Sequence, residues 1–163
     1  DFTHTMSKEI RKEALRNSKL YHHIKKVTQL ADGYHLDFVI GLIPGGFGDI
    51  LGGLFSLSHV YFGLFKLRSI PLTLALLNNM LRDVFLGMLP FYVGDAIDFF
   101  YKSNKKNMAL IDGFVNDDKD IIHQVNKKAV QSAIILFLLL VCIAILLWAL
   151  IKFAEQVGSW LFT

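Results

Sequence analysis

One cysteine in 163 residues, Cys142, leaves no room for a disulfide or a cysteine metal centre within the chain. Its position inside an apolar run reads as small-residue packing. Proline is nearly as scarce, occurring only as Pro44, Pro71 and Pro90, so each marks a helix break or a first turn. The cluster Gly45-Gly46-Phe47-Gly48 lacks the following lysine and serine or threonine of a phosphate-cradling loop, and nucleotide binding is unsupported. No set of nucleophile, base and acid is visible. His59 stands alone in apolar sequence, where packing or hydrogen bonding is expected over ligation, and His22-His23 fall in a solvated basic stretch. The first 35 residues lack the apolar core of a cleavable signal peptide, and Met6-Ser7-Lys8-Glu9 reads as a start, so Asp1 to Thr5 carry no functional weight. The net charge is only +3 and the basic residues are not interleaved with stacking aromatics, so no nucleic-acid partner is expected.

What the chain has is apolar mass. Hydrophobic residues make up 53% and the mean hydropathy is +0.44, above what a soluble domain of this size carries. No charge interrupts Ala129 to Ile151, and a bilayer core needs roughly 20 such residues, so this segment is expected to be a C-terminal transmembrane helix. Trp160 and Phe162 in the tail, 152–163, suit an interfacial anchor.

A thirteen-residue pattern occurs twice, 46 residues apart: Asp37-x3-Gly41-x2-Pro44-x3-Gly48-Asp49 and Asp83-x3-Gly87-x2-Pro90-x3-Gly94-Asp95. Five identities in register point to an internal duplication of a carboxylate, a helix break and a second carboxylate. Proline and glycine supply the break, and each copy lies in apolar sequence.

Before the repeats, 1–35 read as a basic region holding an amphipathic helix from Ser7 to Ala31, with Ile10, Ala14, Tyr21, Ile24 and Val27 on one face and Ser7 as N-cap. Such a helix serves equally well on an anionic membrane surface or packed on its own protein. Within the duplicated core, 36–107, Asp49–Lys66 and Pro71–Leu89 are long enough to cross, with Gly52, Gly53, Ser56, Ser58 and Gly63 allowing close helix packing. The segment 108–128 reads as a polar cytoplasmic connection, a solvated loop or short surface helix. Three crossings place the N-terminal region and 102–128 on one side, and thirteen of the seventeen Lys and Arg residues lie there, which makes that side cytoplasmic. A competing topology folds each repeat as a re-entrant hairpin.

Asp37, Asp49, Asn79, Asp83, Asp95 and Asp98 form the expected polar or ion site. A charge at the bilayer centre costs roughly 2.5–3.5 kcal/mol, so each needs a partner, a wet cavity or an interfacial depth. Asp49 and Asp95 follow glycine at helix starts, where capping competes with an ion role. Asn79 and Asp83 share a helix face, Asp95 and Asp98 share another, and Arg82 faces away from Asp83 toward Asp37, Asp49 or a lipid phosphate. Carboxylates on one face, repeated elsewhere, could hold Na⁺, Ca²⁺ or Mg²⁺, with no spacing specific to any of them. Duplicated broken helices with midmembrane carboxylates are what small ion carriers use.

Gly41-Leu42-Ile43-Pro44 with Gly48-Asp49, then Asn79-x3-Asp83-x3-Gly87-x2-Pro90 with Gly94-Asp95-x2-Asp98, then Lys102-x-Asn104-x2-Asn107, resembles domain of unknown function family 4112 across residues 26 to 112. That family comprises small membrane proteins found mainly in bacteria, and the resemblance implies no established activity. The chain departs from the family pattern by one extra residue between proline and Gly-Asp in each copy, a turn of about 100° if helical. The polar stretch before the first copy is also shortened, to residues 31–35.

The expected fold is all-α and integral to the membrane: an N-terminal amphipathic helix, a helical hairpin carrying two broken, duplicated segments, and a C-terminal transmembrane helix. The expected function is non-enzymatic, since Asp95-x2-Asp98 falls short of a catalytic spacing, and needs no cofactor. The chain is expected in the bacterial inner membrane as an oligomer with a carboxylate-lined site for cation or small-solute passage. The alternative is an accessory or assembly subunit of a larger membrane complex.

Overall fold

The computed structural model describes residues 2–33, 47–87 and 96–161. Among them every regular element is helical: α1 Phe2–Arg16, α2 Lys19–Gly33, α3 Phe47–Tyr61, α4 Ile70–Gly87, α5 Ala96–Val115, α6 Lys119–Lys127 and α7 Ala129–Leu161, with a π turn Phe62–Lys66 after α3.

The single amphipathic helix expected over Ser7–Ala31 is two helices. The Leu15 carbonyl accepts from Ser18 N at 3.1 Å, tightening the end of α1, and the Ser18 hydroxyl then accepts from Tyr21 N at 3.2 Å to start α2. A serine that bonds its own backbone competes with helix continuation, which the apolar periodicity does not register. Ser7 lies inside α1 rather than capping it.

The expected polar connection over 108–128 is also corrected. Helix α5 continues to Val115, and Met108, Ile111, Phe114 and Val115 are buried, Ile111 and Val115 completely. Apolar residues at three- and four-residue steps make this stretch amphipathic although its composition is polar. After Asp117, with φ of 60°, the Asp118 side chain caps α6 by accepting from Asp120 N and Ile121 N at 3.0 and 3.1 Å.

Four helices carry the main packing. α4 packs on α5 and on α7, and α3 packs on α5. Leu76 and Asn79 meet Asn107 while Asp83 meets Ser103, so α4 and α5 run antiparallel. Phe62, Leu72, Leu76, Ile111 and Val115 form the apolar centre, and Tyr21 and Ile24 of α2 close it from one side.

Between α3 and α4 the chain reverses through the π turn, with Phe62 O accepting from Leu67 N at 2.9 Å and Arg68 at a φ of 53°. Ser69 then caps α4 by accepting from Leu72 N at 3.3 Å, and Pro71 sits in the first turn as expected. Gly63 allows the close approach: a Cβ there would stand 2.7 Å from Leu76 Cδ1. α3 begins at Phe47, so Asp49 lies within the first turn and not at the cap, where a carboxylate still complements the helix dipole.

Helix α7 runs ten residues past the expected end at Ile151, helped by Lys152 Nζ donating to Glu155 Oε2 at 2.7 Å. Ala129–Trp160 is the one described helix long and apolar enough to be a candidate membrane span. α3 gives way to the π turn at Tyr61, and α4 carries Asn78, Asn79, Arg82 and Asp83, so neither meets that measure by itself.

Candidate functional site

The inner faces of α3, α4 and α5 are polar for much of their length. On α4, Leu72, Leu76, Asn79 and Asp83 recur at steps of four, three and four residues and so share one face. On α5, Ser103, Asn104, Asn107 and Ile111 answer them, and α3 contributes Ser56 and His59. The Ser56 hydroxyl donates to Asn104 Oδ1 at 2.7 Å. Asn79 Nδ2 donates to Asn107 Oδ1 at 2.8 Å, and Asn107 Nδ2 donates to the Leu76 carbonyl at 3.4 Å. Outward, α3 and the π turn after it show the opposite character: Leu54, Leu57 and Tyr61, and Phe65 of the turn, stay exposed. The helix is polar toward its neighbours and apolar toward its surroundings, the reverse of a soluble amphipathic helix.

Asp83 ends this seam. It is 5% exposed, and its Oδ2 is buried with no hydrogen-bond partner. The Ser103 hydroxyl stands beside the carboxyl but outside hydrogen-bonding geometry, while Arg82 and Lys106 supply nearby positive charge. A buried carboxylate oxygen left without a donor costs on the order of 1–3 kcal/mol, so the site holds unmet demand for a cation or a donor. Its neighbours are amides and hydroxyls. Among the described residues no three His, Cys, Asp or Glu side chains converge as a metal centre would need.

His59 is fully buried with Nδ1 3.1 Å from the Phe55 carbonyl and its ring edge-on to Phe55 at 4.8 Å. A carbonyl only accepts, so Nδ1 carries the proton and Nε2, buried and unbonded, is a bare acceptor. This is the packing and hydrogen-bonding role expected of it.

The structure brings Asn79 and Asp83 to one face as the spacing required. Asp37, Asp95, Gly41, Pro44, Pro90 and Gly94 lie outside the described residues. Asp49 and Gly48 fall in the first turn of α3, Asp98 in the first turn of α5, and Gly87 ends α4; the Asp49 and Asp98 side chains lie outside what is described. Ser56, Ser103, Asn104 and Asn107 were not foreseen as site residues. Asn104 and Asn107 sit three apart in α5, and that step was the available signal.

A basic clasp holds the N-terminal helices against the far end of α5. The Tyr21 hydroxyl donates to Asp112 Oδ1 at 2.5 Å, Lys25 Nζ lies 3.2 Å from Asp112 Oδ2, and Lys12 pairs with Asp117. Arg16 Nε donates to the Val115 carbonyl at 3.3 Å, capping the end of α5, and Arg11 donates to the Lys66 carbonyl at 3.0 Å. Burial and the Asp112 carboxylate push Tyr21 above its usual range; for Lys25 burial pulls down, but Asp112 outweighs it and the net shift is upward. Of the two expectations for the basic region, packing on its own protein is the one these contacts meet.

Clasp and seam together occupy α1 to α5, and residues 8–115 match the family described as Domain of unknown function (DUF4112). The chain belongs to DUF4112. Membership reaches further toward the N-terminus than the motifs from residue 26 onward, because it takes in the clasp helices, while α6 and α7 of this DUF4112 chain lie beyond the match. No curated protein and no solved structure matches the chain.

Proposed function

We propose that this DUF4112 chain is an integral membrane protein, oligomeric in the bilayer, whose buried amide and carboxylate seam is a polar site for passage of a cation or small solute. The carrying observation is Asp83: a carboxylate oxygen without a partner, at the end of a ladder of amides and hydroxyls, inside helices that turn apolar side chains outward. Intramembrane carboxylates are costly enough to mark function by default. α7 anchors the chain, and α3 and α4 embed beside it with Leu54, Leu57, Tyr61 and Phe65 toward lipid or a second copy. Thirteen of the seventeen Lys and Arg residues favour a cytoplasmic N-terminus in a bacterial inner membrane.

The test is cation flux into proteoliposomes holding the full chain. Wild type is expected to pass a cation, and Asp83→Asn to retain its oligomeric state while flux is abolished; undiminished flux in that variant would sink the proposal. The exposed α3 stripe also fits a second reading, an accessory subunit seated against unlike chains. Native mass spectrometry of mild detergent extracts separates the two: stoichiometric unlike chains favour the subunit, a homo-oligomer the self-contained site.

A further inference from the structure

Arg82 and Asp83 are consecutive on α4 and so point about 100° apart. Asp83 enters the seam, whereas Arg82 lines a cleft of about 390 Å³ between α4 and the junction of α6 with α7, which Asn79 of the seam borders. Across from Arg82 stand Lys128, Gln124, Gln131 and Ser132, with Asn78 beside them. The lining holds two cations and no carboxylate, amid amides and a hydroxyl that can donate. Asn78 Nδ2 donates to the Ser132 carbonyl at 2.8 Å and ties α4 to the base of α7. Its Oδ1 is buried and has no partner.

The position selects the ligand. Lys128 is the single residue between α6 and α7, and the helical bonding carries through it, with Gln124 O accepting from Lys128 N at 3.1 Å and Lys128 O accepting from Ser132 N at 2.8 Å. Val130 is already exposed two residues on, and from Ile134, six residues on, the exposed apolar surface of α7 is sustained through Phe137, Leu138 and Val141. Six helical residues rise about 9 Å, comparable to the roughly 5–7 Å headgroup layer on either side of a bilayer core. With α7 spanning, the cleft sits at phosphate depth and Ile135 at its rim meets the start of an acyl chain. Basic pockets between membrane helices on the cytoplasmic side take up anionic headgroups.

We infer that the cleft bounded by Arg82, Lys128, Asn78 and Ser132 binds the phosphate of an anionic glycerophospholipid. This goes beyond the seam and rests only on α7 spanning the bilayer. Arg82 and Lys128 hold the phosphate oxygens.

The experiment is native mass spectrometry of the full chain, delipidated in mild detergent and titrated with phosphatidylglycerol, phosphatidylcholine or glycerol 3-phosphate. Wild type is expected to retain one phosphatidylglycerol in clear preference to phosphatidylcholine. Arg82→Gln with Lys128→Gln removes two charges and is expected to weaken retention about 30-fold, while Arg82→Lys with Lys128→Arg keeps most of it. Gln131→Glu, at an exposed position, adds a carboxylate to the cleft and is expected to expel the lipid without unfolding the chain, as circular dichroism would show. Equal retention of phosphatidylglycerol by wild type and the double glutamine variant, or no preference over phosphatidylcholine, overturns the site. Displacement of the lipid by millimolar glycerol 3-phosphate overturns the lipid assignment and makes the ligand a soluble phosphate ester. Absence of Trp148 quenching by brominated lipids in bilayers would instead remove the spanning role of α7, and with it the basis of this assignment.

Discussion

Asn79 of α4 and Asn107 of α5 form a part-buried amide pair, 2.8 Å from Nδ2 to Oδ1, and Asn107 closes the link by donating back to the main-chain carbonyl of Leu76 on α4. Asn107 has no exposed surface. Asn107→Ala therefore leaves the Asn79 amide and the Leu76 carbonyl without these partners and opens a small void, at an expected cost of about 2–3 kcal/mol. Thermal unfolding in detergent micelles, followed by circular dichroism, measures it. A melting point unchanged from wild type would mean that the pair does not hold α4 to α5.

Gly113 fixes how α6 folds back on α5. A Cβ there would stand 2.5 Å from Ile121 Cδ1, 2.8 Å from Cγ2 and 3.0 Å from Cβ. Rotating Ile121 moves the first two atoms but not its Cβ, so α6 itself has to shift. Gly113→Ala is expected to destabilise by about 1–3 kcal/mol, and adding Ile121→Ala to recover part of that. Hydrogen exchange across Lys119–Lys127 reports the shift. Exchange in Gly113→Ala as slow as in wild type contradicts the tight contact.

Alkali is expected to open the clasp. Tyr21 and Lys25 both titrate above their ordinary values of 10.0 and 10.5. A group raised in the folded state stabilises it in full below the unfolded value and loses that contribution as pH climbs through the folded one. The docking of α2 on α5 should therefore be level through neutral pH and weaken above about pH 10. Proteolysis within Lys19–Gly33 across a pH series gives the profile. Tyr21→Phe removes one of the two titrations and should flatten it, and a wild-type profile level beyond pH 11 would rule the clasp out as its cause.

The parts of this fold that were legible are those where composition and periodicity agree. Ala129 to Ile151 has no charge to interrupt it, and it is helical throughout. Asn79 and Asp83 share a face because a spacing of four fixes direction whatever surrounds them. The α5 partners were missed for a physical reason. Ser103, Asn104 and Asn107 are polar residues beside a run of lysines, with no apolar periodicity to set their direction, yet they turn inward to face Ser56, Asn79 and Asp83. The extension of α5 to Val115 was hidden by neighbouring charges, although Met108, Ile111 and Val115 carry the periodicity. The break at Asn17-Ser18 depends on one hydroxyl choosing a backbone partner three residues on, a competition that no hydrophobic pattern records.

Cys142 makes the membrane reading testable at a single atom. It is the only thiol in the chain, it is exposed on α7, and thirteen helical residues from Ala129 place it about 20 Å along the helix, near mid-bilayer if α7 spans. A charged maleimide needs the thiol in water, so Cys142 in proteoliposomes is expected to resist modification and to react once the vesicles are dissolved in SDS. Lys127→Cys in a Cys142→Ala background, placed before the apolar run, should react in both states. Shielding by lipid rather than by a second copy requires in addition that brominated lipids quench Trp148, which is exposed six residues further along the same helix. Modification of Cys142 in intact vesicles at the rate of the Lys127→Cys control would take α7 out of the bilayer, and the unpartnered Asp83 carboxylate would then face a different problem: burial in a water-soluble bundle.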